Sequence, residues 1–364
     1  MASDLKSPLS QQVKRALKIP LPWTLKRIEA LNYIAEYNQE QAYNPSILEL
    51  ARLDFNLLQL HLRELKDFSR WGNTLYSIVG LTYSRDRIVE CYFWSYTVYY
   101  EQKYAEARII LAKIFVLTSL LDDTYDMHAT LEEGQKLDEA WDENAISLLP
   151  EYLKNYYAKL ISTFKDIEAE LKSDEKYYVT NYALKAYQRL CKHYLQEAVW
   201  FHHNYIPSFQ DHLDVSIISS GAPMLSVSLV GTGDLVTKEA LEWATGCTDA
   251  VKACGEITRF LDDLAAFKNG KSKMDISSCV ECHMVEHSVT GEVATAAIGN
   301  LVEDAWKTIN QSRFEHPSLV PAVNRVANLA MSMVFLFQDS NDAYTFSELN
   351  KKTIQQQFLE PIPI

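Results

Sequence analysis

Glycine and proline are scarce, 11 of each in 364 residues. An all-β architecture draws on both for its many tight turns, so this composition disfavours it and fits long helices joined by short loops. Basic charge is in deficit, with 35 Lys and Arg against 48 Asp and Glu and a formal net charge of −13. A nucleic-acid surface needs clustered Lys and Arg, so that partner class is not expected; an anionic substrate is compatible wherever cations are placed locally. No apolar run reaches the ~20 residues that cross a bilayer. The longest, Ile109 to Leu121, is broken by Lys113, and no membrane span is expected. Met1 to Pro20 has no apolar core, so no secretory signal is expected there. Cysteines number six, and Cys279 and Cys282 have CxxC spacing beside His283, but no second pair completes the four ligands of a structural zinc site. Free thiols in a reducing compartment, the cytoplasm, are expected instead.

What is present is helical periodicity. Residues 1–22 read as a leader, polar and then extended at Pro20 and Pro22. Helices are expected over Trp23–Tyr37 and Ser46–Trp71, the latter with Leu50, Leu53, Leu57 and Leu60 on one stripe that Leu48, Phe55, Leu58 and Leu62 widen. Gly72 to Ser84 reads as a connection. Further helices are expected over Asp86–Tyr104, Ala105–Asp126, Thr130–Trp141, Glu151–Ser173, Glu175–His203, Phe209–Ser220, Lys238–Phe267, Ile276–His287, Gly291–Arg313 and Leu319–Phe337, with a short piece after Tyr344. Gly221 and Pro223 should break the apolar run Ser216 to Gly231, either freeing carbonyls toward a cavity or making a simple turn. No strand, fixed-period repeat or low-complexity linker is read, so one all-α bundle is the economical fold.

Asp122-Asp123-Thr124-Tyr125-Asp126 closes the apolar run from Ile109. Asp122 and Asp126, four apart, share a helix face, while Asp123 lies about 100° round the cylinder. Like charges at that spacing repel. Either a hard cation such as Mg²⁺ sits between them, or the residues are a solvated acidic helix end. Arg85-Asp86-Arg87 offers guanidinium forks suited to phosphate oxygens. Arg259 and Asp262, three apart on a long apolar helix, share a face and make either a second acidic site or a structural ion pair.

Together these motifs resemble the class I terpene synthases of plants. The likeness extends to Trp23–Ala30 (WTLKRIEA), Leu48–Asn56 (LELARLDFN), Phe68–Trp71 (FSRW), Arg85–Trp94 (RDRIVECYFW) and Val280–Met284 (VECHM), nearly the whole chain. The resemblance implies a catalytic domain over 23–364, a helical bundle around an apolar pocket with Mg²⁺, or Mn²⁺ in its place, at the mouth. By the same likeness Asp122, Asp126 and Asp262 bind metal, and Arg85, Arg87 and Arg259 hold the diphosphate of an isoprenyl diphosphate, farnesyl diphosphate being preferred. Trp94 matches a pocket tryptophan, Asp342 and Tyr344 match a DxY element, and Phe337 stands where relatives can have Tyr. The implied product is a sesquiterpene, formed by a monomer.

One departure stands out. The family's second metal motif places Ser or Thr four residues after Asp262 and Glu eight after, where this chain has Ala266 and Gly270. One metal site should be weakened. Either Asp262, water and diphosphate suffice, or the protein is a degraded synthase that binds isoprenoid diphosphate with little or no turnover. Plant relatives also carry a further helical domain ahead of the catalytic one, whereas this chain starts almost at the catalytic domain.

Overall fold

The computed structural model describes residues 5–40, 42–141, 143–171, 179–233, 236–270 and 277–364. Among them there is no strand. The first helices are α1 (Leu9–Lys18), α2 (Lys26–Tyr37), α3 (Pro45–Phe55), α4 (Leu58–Val79), α5 (Ile88–Val98), α6 (Ala105–Met127), α7 (Leu131–Glu139) and α8 (Glu151–Leu171). The chain continues through α9 (Val179–His202), α10 (Phe209–Ser219), α11 (Ala222–Val230), α12 (Lys238–Gly246), α13 (Asp249–Asn269), α14 (Cys279–His287), α15 (Gly291–Glu315), α16 (Val320–Leu336) and α17 (Glu348–Phe358).

Two helices organise the bundle. α6 is buried along most of its length, from Ala107 through Leu121, and packs on α5, α11, α4 and α9. α13 packs on α15, α16, α11 and α10. One continuous hydrophobic core links Leu25 to Phe358, and a small satellite of Ile34, Leu48 and Phe55 joins α2 to α3. Glycine serves two joints in different ways, by close approach at one and by a left-handed backbone at the other. A Cβ on Gly72 would lie 2.5 Å from Ile88 Cδ1, so glycine lets α4 rest on α5. Gly221, at φ +77°, makes the expected break between α10 and α11, with Pro223 in the first turn that follows.

Several expectations need correction. The 1–22 segment holds a helix, α1, whose Arg15 pairs with Glu29 and Glu36 while Lys18 reaches Asp339 at 2.7 Å. The single helix over Ser46–Trp71 is two, divided at Asn56 and Leu57, and the Gly72–Ser84 connection is helical as far as Val79 because Phe68, Leu75 and Val79 bury one continuous face. The four leucines of the expected stripe do not share one helix, and they lie outside: Leu50, Leu53, Leu57 and Leu60 are 67, 47, 45 and 38% exposed, whereas Leu48 and Phe55 turn inward. Lys238–Phe267 divides into α12 and α13 because Cys247 (φ 51°) and Asp249 (φ 46°) leave the helical region. The helix expected to Tyr104 ends at Val98, with a 3₁₀ turn over Gln102–Tyr104. Phe209–Val230 and Pro317–Ser340 are in fact long and apolar enough to cross a membrane. Both lie inside the bundle, 83% and 72% buried over their most apolar windows, as core helices do. The expected ends at Ser173, Glu175 and Ile276 lie outside the described residues. All six cysteines are free thiols.

Candidate active site

The acidic cluster sits in the last two turns of α6, where the helix dipole is negative and carboxylates are least welcome. Asp122 accepts a hydrogen bond from the Tyr194 hydroxyl of α9, and Asp126 acts electrostatically on the same phenol, so the two share a face as the spacing requires. Burial raises the Asp122 carboxyl above its ordinary range, and neighbouring Asp123 adds to the rise against Tyr194, Arg87 and Arg259. Asp123 points elsewhere: its Oδ2 accepts from Ser84 Oγ at 2.6 Å and from the Arg85 N–H at 3.2 Å.

Across the site, α13 presents Arg259 to two aspartates. It pairs with Asp262 one turn on, and with Asp263 at 2.9 Å. Asp263, 4% exposed, also accepts the Cys279 N–H at 2.6 Å, fastening the start of α14 to α13. Burial pushes the Asp262 carboxyl up to about 7 even against Arg259, with Asp263, Asp342 and Asp122 adding repulsion. Its side chain is nevertheless 39% open, so it faces the site rather than the solid core.

The arginine turn closes a third side. Arg87 donates to the Tyr344 carbonyl at 2.7 Å and lies 4.3 Å from the centre of the Tyr344 ring. Arg85 donates to the Thr345 carbonyl at 3.4 Å. Asp342 accepts the N–H groups of Tyr344 and Thr345 at 3.0 and 2.8 Å, bending the chain so that these carbonyls face the arginines. Deeper in, Trp94 stacks on Phe115 at 4.4 Å and meets the Tyr344 ring edge-on at 5.2 Å, its indole N–H fixed by Ser332 Oγ at 2.7 Å. The Tyr344 hydroxyl bonds Ser119 and lies 3.7 Å from Cys91 Sγ. All nine site residues read from the sequence therefore belong to one constellation, with Asp126 and Arg85 at its exposed rim.

Sequence reasoning missed Glu197. On α9, three residues beyond Tyr194, it accepts from Ser219 Oγ at 2.6 Å at the α10–α11 break. Burial pushes its carboxyl up to about 7, with Asp263 and Asp122 adding to the rise and Arg259 and Ser219 opposing it. No motif marks this position, which reads as an ordinary helix-surface glutamate.

The site unites carboxylates from two facing helices with three guanidinium groups above an aromatic wall. Its acids are all hard oxygen donors, and Asp122, Asp262 and Glu197 are raised toward neutrality by burial and by one another, an arrangement a divalent cation would relieve. This is the donor set of a metal-dependent enzyme acting on a diphosphate. The description "Terpene synthase family, metal binding domain" matches residues 73–308. The chain belongs to the terpene synthase family. It is similar to a tau-cadinol synthase of Zea mays, 58% identical over 99% of this chain and 67% of that protein, and to an alpha-copaene synthase of Zea mays, 52% identical over 98% and 68%. It thus spans about two thirds of the length of these relatives. An isoprene synthase from grey poplar (Populus x canescens), solved with three Mg²⁺ ions and dimethylallyl-S-thiolodiphosphate, superposes with a TM-score of 0.88 at 30% identity over 100% of this chain and 71% of its own.

Gly270 bears on the altered metal motif. It has φ +80° and ψ 131°, and α13 has already ended at Asn269. The eighth position after Asp262 is therefore off the helix face that carries Asp262. Ala266 remains on it.

Proposed function

We propose that this protein ionises an isoprenyl diphosphate, farnesyl diphosphate by preference, and guides the resulting allylic cation to a sesquiterpene with release of diphosphate. The observation that carries the proposal is the convergence of Asp122, Asp262, Arg87 and Arg259 on one site, supported by the relatives at 58% and 52% identity, a tau-cadinol synthase and an alpha-copaene synthase. Asp122 and Asp126 on α6, with Asp262 on α13, are the residues that would hold Mg²⁺, or Mn²⁺ in its place. A bound divalent cation supplies charge neutralisation for the departing diphosphate.

The chain's own residues account for the rest. Arg85, Arg87 and Arg259 bind the leaving group and keep it from recombining. Trp94 and Tyr344 present aromatic rings to the cation, each well-placed face contributing about 0.5–2 kcal/mol. The apolar packing around Phe115 and Trp94 excludes water that would quench the cation early. Arg259 is held by Asp262 and Asp263, so a bound diphosphate would compete with Asp262 for the guanidinium, and Asp262 is among the residues that would hold the metal. The six free thiols support the cytoplasm as the working compartment, and the monomer is taken as the working unit. Incubation of purified protein with farnesyl diphosphate and Mg²⁺, followed by gas chromatography of the volatiles, tests this reading. Hydrocarbon above a no-enzyme control supports it, and diphosphate binding without product refutes turnover.

A further inference from the structure

We propose that Asp123, the middle carboxylate of the acidic cluster, is a positioning residue that locks the arginine turn in register with the metal-binding face of α6. Three consecutive residues ahead of α5 are tied to two consecutive residues of α6. Tyr83 and Thr124 join through their hydroxyls at 2.9 Å, Ser84 Oγ donates to Asp123 Oδ2 at 2.6 Å, and the Arg85 N–H donates to the same oxygen at 3.2 Å. Tyr83 is further pinned by His128, stacked at 4.2 Å just beyond the end of α6. On its other side the turn is held by Tyr76, whose hydroxyl donates to the Arg85 carbonyl at 2.8 Å and accepts the Arg87 N–H at 3.3 Å.

The consequence is geometric. Asp122 and Asp126 face Tyr194, whereas Asp123 lies about 100° round the helix and faces the turn. A diphosphate that must touch metal on one helix and guanidinium groups on the neighbouring turn requires a fixed distance between the two. Asp123 sets that distance through two hydrogen bonds to one oxygen. Asp263 makes the equivalent joint on α13, gripping Arg259 with one oxygen and the Cys279 N–H with the other. In each Asp-Asp pair the first residue faces the site and the second fastens a neighbouring segment, the arginine turn for Asp123 and the start of α14 for Asp263.

The inference rests on the diphosphate-handling role proposed above, and its test separates the two. Asp123 accepts both hydrogen bonds on one oxygen, so an amide carbonyl can replace it, whereas an amide cannot replace a carboxylate that ligates a cation. Asp123→Ala, Asp123→Asn and Ser84→Ala are compared by isothermal titration with inorganic diphosphate in Mg²⁺ and by steady-state kinetics. Asp123→Ala should weaken diphosphate binding and raise KM by about tenfold with kcat little changed, Ser84→Ala should move both less in the same direction, and Asp123→Asn should recover to within about threefold of the parent. Asp123→Asn as impaired as Asp123→Ala would overturn the proposal, because charge and not registry would then be what counts. Wild-type diphosphate affinity in a folded Asp123→Ala protein would overturn it too. Should the parent prove unable to turn over farnesyl diphosphate, the titration arm still decides the role of Asp123.

Discussion

Arg259 and Asp262 are ion-paired across one turn of α13, and Asp263 holds the same guanidinium 2.9 Å away. One cation is thus shared by two acids with different surroundings: Asp263 is buried at 4% exposure and Asp262 opens onto the site. Asp263 therefore has a structural role that Asp262 lacks. Asp263→Ala leaves Arg259 paired with Asp262 alone and the Cys279 N–H without its acceptor, so it should cost about 2 kcal/mol of stability by urea unfolding. Asp262→Ala should cost clearly less. Equal costs would contradict the division of roles.

Proton linkage gives a second prediction. Asp262 and Glu197 are pushed up to about 7 by burial, and Asp122 is also raised. In the unfolded chain such carboxyls titrate near 4, so between about pH 4 and 7 the metal-free native state binds more protons than the unfolded state. Their contribution to stability therefore falls as pH rises through that window. A divalent cation competes with those protons, so the rise in melting temperature on adding Mg²⁺ should be larger at pH 8 than at pH 6. Equal rises would show that these carboxyls are not linked to metal.

The altered metal motif gives a third. Ala266 lies one turn beyond Asp262 on α13, whereas Gly270 stands past the helix end in a backbone conformation that favours glycine. Ala266→Thr should lower the Mg²⁺ concentration needed for half-maximal activity. Gly270→Glu should give no such gain and should destabilise the fold by about 1 kcal/mol. Improved Mg²⁺ dependence in Gly270→Glu alone would place the missing ligand there after all.

A fourth concerns the aromatic wall. Trp94 is fixed on three sides, by Phe115, Tyr344 and Ser332. Trp94→Ala should slow turnover by about 2- to 30-fold, the equivalent of 0.5–2 kcal/mol of cation stabilisation, or alter the product mixture seen by gas chromatography. An unchanged rate and product profile would reduce Trp94 to packing.

Much of this site was legible in the sequence because its logic is local. Four-residue spacing put Asp122 and Asp126 on one face, and three-residue spacing paired Arg259 with Asp262. Long-range relations were not legible. Periodicity joined Leu50 to Leu60 in one stripe but could not show the division at Asn56 and Leu57 or that these leucines face outward, because a pattern records amphipathicity and not what covers it. Gly72 to Ser84 read as a connection, yet α4 continues to Val79 and Gly72 is where it rests on Ile88 of α5. Glu197 carried no signal at all, since only the approach of α9 to Arg259 distinguishes it from a surface glutamate. Asp123 was visible as an acid but not as an anchor, because Ser84 lies 39 residues away in the chain.

The most direct measurement compares the parent protein with Asp122→Ala, each incubated with farnesyl diphosphate and Mg²⁺ and assayed by gas chromatography, with far-UV circular dichroism as the control for folding. The expected result is a Mg²⁺-dependent sesquiterpene product from the parent and none from Asp122→Ala at unchanged helical content. Full activity in Asp122→Ala, or no product from the parent despite measurable diphosphate binding, would contradict the account.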